Sequence, residues 1–218
     1  MKKFILSFTL SLFFIAAFAQ SEKYMKAMQD KVIAVDTTRN PEIQKDLSAA
    51  FERIGDAEKT QWLPYYYAAL TQVNAAYNIM SSKQGGPTVT DAMADKAEQL
   101  LNKAEALNKD NSDIYLVRKM IANVHMMADP MTRYMQYGPK AQEALQAAKR
   151  LNPDNPRVYL LEAEDKFFTP EQYGGSKTEA RKLFELAIQK YDAAKPATSI
   201  DPTWGRGTAQ YFLSQLKS

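Results

Sequence analysis

Eight side chains are candidates for recognition chemistry. Tyr65 and Tyr67, with Asn74 and Asn78, lie in the most aromatic stretch of the chain, WLPYYYAALTQVNAAYNIM, residues 62–80. Tyrosine offers a flat apolar ring with a hydroxyl tip, and asparagine both donates and accepts, so this set suits a ligand that stacks and hydrogen-bonds. Arg118, Lys119 and Asn123 follow on a second segment, where the two cations suit carboxylates. Arg133, in DPMTRYMQYG over residues 129–138, is either a further anion contact or a structural arginine that caps carbonyls or pairs with an acidic neighbour. No motif ties these residues to one partner. They are polar or amphipathic positions on helices or on an insertion.

Reaction chemistry has less to work with. Glu162, Glu164 and Asp165 are acid–base groups, but nothing in the sequence sets two carboxylates across a cleft, and a solvated helix face accounts for them. His125 is the single histidine and cysteine is absent, so no zinc-type ligand set can be assembled and no thiol or disulfide chemistry is open. His125 falls on an apolar helical pattern, as a packed residue does. Gly174-Gly175 lacks the spacing and the preceding strand of a nucleotide loop and reads as a helix break. No catalytic residue, no metal site and no cofactor is expected. The chain reads as a binding protein and not an enzyme.

The elements that position these residues are helices. The 218 residues are 45% apolar with only 8 glycines, enough for a sizeable core and poor in turn residues. No segment alternates with period two, so no sheet is expected. Asn40-Pro41 is a cap and first-turn pair opening a helix through Ile54, with Gly55 ending it. In the aromatic stretch, neighbours on a helix lie about 100° apart. Trp62, Tyr66, Ala69 and Val73 then form the buried stripe, and Tyr65 or Tyr67 points elsewhere. Residues 129–138 read as a loop inserted between the two helices of one pair, with side chains that could pack it on the bundle. Thr169 with Gln172 and Ser176 with Glu179 read as capping boxes around a single turn.

A repeated helix–turn–helix spacing runs through the second half. Ala141, Leu145 and Ala148 stand at gaps of four and three. The turn Asn152-Pro153-Asp154-Asn155 follows, and Tyr159 lies 11 residues after Ala148. Ala97, Leu101 and Ala104 repeat the gaps, with Asn108-Lys109-Asp110-Asn111 as the turn and Tyr115 again 11 residues on. Ala180, Phe184 and Ala187 keep the gaps a third time. This pattern resembles the tetratricopeptide repeat (TPR) family, in which small and large residues alternate so that antiparallel helices pack closely. The copies are offset by 44 and then 39 residues where the family repeats every 34, so the pairs carry insertions.

The resemblance implies an all-α fold: a short right-handed TPR-like α-solenoid of helical pairs near 58–107, 112–151 and 156–194. A capping helix over 206–217 would close the stack. Exported bacterial proteins of undetermined role share such irregular repeats, and the resemblance adds no catalytic residue.

Residues 1–19 read as a signal peptide. Lys2 and Lys3 precede an apolar run, and Ala17-Phe18-Ala19 fits the small-x-small rule for cleavage after Ala19. The rest, residues 20–218, is expected to form one domain with no membrane span, in the periplasm or outside the cell. The whole chain carries 28 basic and 25 acidic residues, and loss of the two leader lysines leaves it close to neutral. That gives no field to attract nucleic acid. The leading expectation is a scaffold in the cell envelope that binds a protein or peptide along its inner helices. The alternative is a small-molecule binder with a pocket between residues 62–80 and the 129–138 segment.

Overall fold

The computed structural model describes residues 22–216, so the leader lies outside the described residues. Those residues form nine α-helices and one short 3₁₀ turn, with no strand. Helix α1 covers 22–37, followed by α2 (Pro41–Glu58), α3 (Trp62–Ser82), α4 (Pro87–Leu107), α5 (Ser112–Ala128), α6 (Pro130–Leu151), α7 (Pro156–Phe168), α8 (Lys177–Ala193) and α9 (Arg206–Gln215). Each helix packs antiparallel on the next, giving stacked pairs with α9 against α8. This is the all-α, solenoid-like arrangement the repeat spacing implied.

Polar caps set the helix starts. The Asn40 side chain accepts from the Glu42 and Ile43 amides at 2.9 and 3.3 Å, and Pro41 sits where no N–H is needed. The Asn111 side chain does the same for Asp113 and Ile114, and that of Asn155 accepts from Arg157. These last two turns are the repeated ones, and they are bonded to each other. Buried Asn155 donates to Ser112 Oγ at 3.1 Å and to Asp113 Oδ1 at 2.8 Å, and Ser112 Oγ donates to the Ala148 carbonyl at 2.9 Å. Ser176 caps α8 through the Glu179 amide. Thr169 caps nothing: the turn Glu171–Tyr173 begins at Pro170 without a side-chain bond.

The small positions of all three repeats are buried, which lets the paired helices approach. Two local expectations are corrected. Gly55 does not end α2, which runs on to Glu58 and closes at Lys59 with φ 57°. Gly55 is buried under the Tyr65 ring, where an added Cβ would meet ring carbons at 2.8 Å. Residues 130–138 are not a loop but the first two turns of α6, which continues through Pro139. Pro139 is exposed there, so its missing N–H leaves the Met135 carbonyl unbonded in the ladder at a position open to water.

Helix α3 buries side chains on several sides because it packs against α2, α4 and α5. Tyr65, Tyr66 and Tyr67 are all buried, each against a different element. Tyr65 Oη donates to Asp56 at 2.8 Å, Tyr67 stacks on Phe51 at 5.3 Å, and Tyr66 Oη accepts from Trp204 Nε1 at 2.7 Å. Trp62, expected at the head of the buried stripe, is only half-buried.

The connection 194–205 then crosses from α8 back to the first helices. Tyr67 Oη donates to the Ile200 carbonyl at 2.9 Å, Arg157 donates to the Pro202 carbonyl at 2.9 Å, and Tyr191 Oη donates to the Trp204 carbonyl at 2.8 Å. Ile200 and Trp204 are themselves buried. The chain's own segment therefore fills the space between the starts of α3 and α7.

Candidate functional site

The eight expected contacts do not converge. Tyr65 and Tyr67 lie in the helix packing just described and present no ring to solvent. Lys119 is 1% exposed and reaches from α5 to Asp165 of α7 at 2.8 Å. Asn123, Asn74 and Asn78 are half-buried on α5 and α3, and Asn123 hydrogen-bonds the Tyr77 hydroxyl. Arg133 bonds Asp91 at 2.6 Å and the His125 carbonyl at 3.2 Å, so it ties α6 to α4 and α5. Its expected place in a loop pocket beside residues 62–80 is corrected by the helical course of 130–138. Of the eight, Arg118 lines the groove between α4 and α6.

That groove is open, about 630 Å³ in volume, and floored by α5. It lies within the roughly 300–1,000 Å³ range of small-molecule sites. Its floor and inner wall are small and apolar: Ile121, Ala122, Ala144 and Ala147. Tyr115 stands at one end and Tyr137 at the other. Tyr137, Lys140, Ala144, Ala147 and Arg150 all project from one face of α6, at gaps of three and four residues. The packing of α5 against both α4 and α6 holds the two walls apart.

His125 fixes the Tyr137 end. Its ring stacks on Tyr137 at 4.9 Å and 17°. Its Nδ1–H donates to Asp91 Oδ1 at 3.0 Å, and its Nε2 faces Asp95 Oδ1 at 3.5 Å. Both ring nitrogens thus face carboxylates. Asp91 also accepts from Arg133, and this guanidinium bond, aided by His125, holds its carboxyl below the usual range.

The basic groups of the groove differ in their freedom. Arg118 is held by Glu98, by Glu105 at 2.7 Å and by the Asn102 side chain at 3.1 Å, all on α4. Lys140 lies 5.2 Å over the Tyr137 ring and has no acidic partner among the described residues, nor does Arg150. The groove therefore offers two tyrosine rings, an apolar floor and two cations without an acidic partner, beside the carboxylates Asp95, which faces His125, Glu98, which Arg118 holds, and Glu143. Such a set can hold a flat, largely apolar molecule that carries carboxylates.

Among the described residues no group of three or more His, Cys, Asp or Glu side chains could hold a metal ion. No helix among them is long and apolar enough to cross a membrane.

Sequence reasoning missed Tyr115, His125, Tyr137, Lys140 and Arg150. The signal was present. The helical spacing from Tyr137 to Arg150 runs unbroken, but a loop over residues 129–138 detaches Tyr137 from the face it belongs to.

No family model matches the chain, and no curated protein sequence matches it. The tetratricopeptide resemblance therefore stands as a shared helical-repeat architecture. Among solved structures, the chain is similar to the HusA haemophore from Porphyromonas gingivalis, with 33% sequence identity and a TM-score of 0.78. The match covers 89% of this chain and 92% of that one. At that identity over nearly the whole of both chains, the protein belongs to the family of the HusA haemophore.

Proposed function

We propose that this chain is an exported carrier that binds haem, or a porphyrin of the same shape, in the groove between α4 and α6. The observation that carries the reading is the groove itself: aromatic ends, an apolar floor, and the uncommitted cations Lys140 and Arg150. The macrocycle lies along Ile121, Ala122, Ala144 and Ala147, with its edge against Tyr137. Its propionates meet Lys140 and Arg150, which no internal carboxylate claims. The relationship to a haemophore supports the same class of ligand.

His125 acts here through Tyr137. Its two ring nitrogens face Asp91 and Asp95, and its stacking sets the angle of the tyrosine ring. Recognition then rests on the macrocycle and its carboxylates, so an iron-free porphyrin is also bound. The peptide-scaffold reading has less support, because the connection 194–205 already crosses the inner face near α3 and α7.

Export follows from the leader. Removal of residues 1–19 would release the carrier outside the cytoplasm as one helical unit beginning at Gln20. Sequencing the N-terminus of protein recovered from the source cells should return Gln20.

Absorbance titration with haem tests the groove. The processed chain should saturate with one haem, and Tyr137→Ala combined with Arg150→Glu should weaken binding about tenfold or more. Equal affinity in the variant, or no saturable binding by the wild type, would refute the site.

A further inference from the structure

Most of the exposed large apolar side chains among the described residues are gathered at one end of the helical stack; the others are Leu107, Leu151 and Tyr211. Because each helix runs antiparallel to the next, the turns at 38–40, 83–86, 129 and 169–176 all lie at the same end. Met127, Met131, Tyr134 and Met135 are exposed around the α5–α6 turn, and Met131 and Met135 are 94% and 81% accessible. Phe168 and Tyr173 are exposed around the α7–α8 turn. Val89 opens α4, and Ile33 and Ile43 flank the α1–α2 turn.

The opposite end is different. Its turns at 59–61, 108–111 and 152–155 are polar, the last two capped by Asn111 and Asn155, and exposed large apolar groups beside them are Leu107 and Leu151.

We infer that this turn-bearing end seats on the surface of a lipid bilayer. Four separate turns supply the apolar groups, and stacking sets those turns side by side along one end. A bilayer surface can receive all of them at once, whereas a peptide or a small molecule would touch one. Methionine, tyrosine and phenylalanine at turn tips also suit the headgroup boundary, where an apolar side chain can enter while the backbone stays wet.

The charges at this end complement a neutral headgroup layer. Lys45 pairs with Glu42 at 2.7 Å, Arg133 with Asp91 at 2.6 Å, and Lys166 with Glu179 at 2.9 Å. The other charges at these turns are of both signs, Arg39, Lys83 and Lys177 against Asp129 and Glu171, so no block of one sign selects an anionic surface, and apolar insertion drives the contact with little effect of salt.

The end is also continuous with the groove. His125 and Tyr137 close the groove within two turns of Met127 and Met135. On the haem reading given above, the ligand would pass between the bilayer and the groove at that end. The docking itself does not depend on that reading.

Vesicle flotation with residues 20–218 tests it, using phosphatidylcholine vesicles with and without phosphatidylglycerol. The wild type should float with the neutral vesicles at low and high salt. Met131→Asp combined with Met135→Asp should cut the bound fraction about tenfold or more, while Leu107→Asp with Leu151→Asp leaves it unchanged. Circular dichroism confirms that each variant is folded, and haem titration reads the groove independently of flotation.

The inference is overturned if the wild type stays out of the neutral vesicles, or if it binds only anionic vesicles and is stripped by salt. It is also overturned if both double variants lose binding equally. A dimer in solution that the methionine variant separates would make the occupant a second copy, and would overturn it too.

Discussion

The seams on the two sides of the central helix pair are built from different chemistry. On the N-terminal side, α2 meets α3 through Phe51, Gly55 and three buried tyrosines, with every hydroxyl bonded to a group outside its own helix. On the C-terminal side, α5 and α6 meet α7 through ion pairs. Lys119 reaches Asp165, Lys149 reaches Glu162 at 2.8 Å, and Arg157 reaches Asp113 at 2.7 Å. The contact there is also much shorter. The apolar seam gains its stability from area removed from water, which does not depend on pH. The polar seam gains little net energy, because desolvation offsets attraction, but breaking one partner leaves the other exposed to that cost. The first seam fixes the shape. The second makes the position of α7 to α9 depend on solution conditions, with the connection 194–205 tying that unit back to α3.

Truncating the apolar seam should cost most. Phe51→Ala removes the ring stacked on Tyr67 and should lower unfolding free energy by about 3–5 kcal/mol in urea titration. A loss under 1 kcal/mol would mean that the seam collapses around the cavity and is less rigid than described.

The polar seam should show an asymmetry that an apolar one cannot. Asp165→Ala leaves the Lys119 ammonium buried without its carboxylate and should cost about 1–3 kcal/mol, the lower part of the range reflecting the partial exposure of Asp165. Lys119→Met removes the buried charge itself and should stay within about 1 kcal/mol of wild type. Equal costs for the two variants would show that the pair contributes as a simple attraction.

The smallest effect sharpens the comparison through pH. Burial pushes the Glu164 carboxyl from its ordinary 4.5 up to about 7, with Lys119 opposing and Asp165 adding to the rise. The folded protein therefore keeps a proton that the unfolded chain releases. The stability this gives is full below about pH 4.5, falls as pH rises, and is lost above about pH 7. Glu164→Gln should remove that slope and leave the variant more stable than wild type at pH 8 by about 1–2 kcal/mol. Parallel stability curves from pH 5 to 8 would contradict it.

The legible parts of this fold were those with local causes. The gaps of four and three at Ala97, Ala141 and Ala180 marked the buried faces, and Asn40, Asn111 and Asn155 marked helix starts, because capping and small-residue packing act over a single turn. Gly55 was misread because a glycine that admits a distant ring looks the same in sequence as one that ends a helix. Residues 130–138 were misread as a loop because they are an insertion in the repeat spacing, and the contacts through Arg133 and Tyr137 that hold them against α4 and α5 are not local. Lys119 and Tyr67 were misplaced for a different reason. Their burial depends on α7 and on residue 200, more than 40 and more than 130 residues away. The candidate groove combines both difficulties, since its floor is on α5 and its aromatic wall is on the half of α6 that read as a loop.

The location of the ligand is the central claim, and amide chemical-shift mapping with an iron-free porphyrin tests it most directly. A bound macrocycle shifts nearby amides through its ring current and leaves distant ones unmoved. The largest changes should fall on Ala122, Ala144, Ala147 and Tyr137, with little at Asn74, Asn78 or Asn123 on the inner face. Shifts centred on α3 and α7, with α6 unchanged, would contradict the groove and move the site to the inner face.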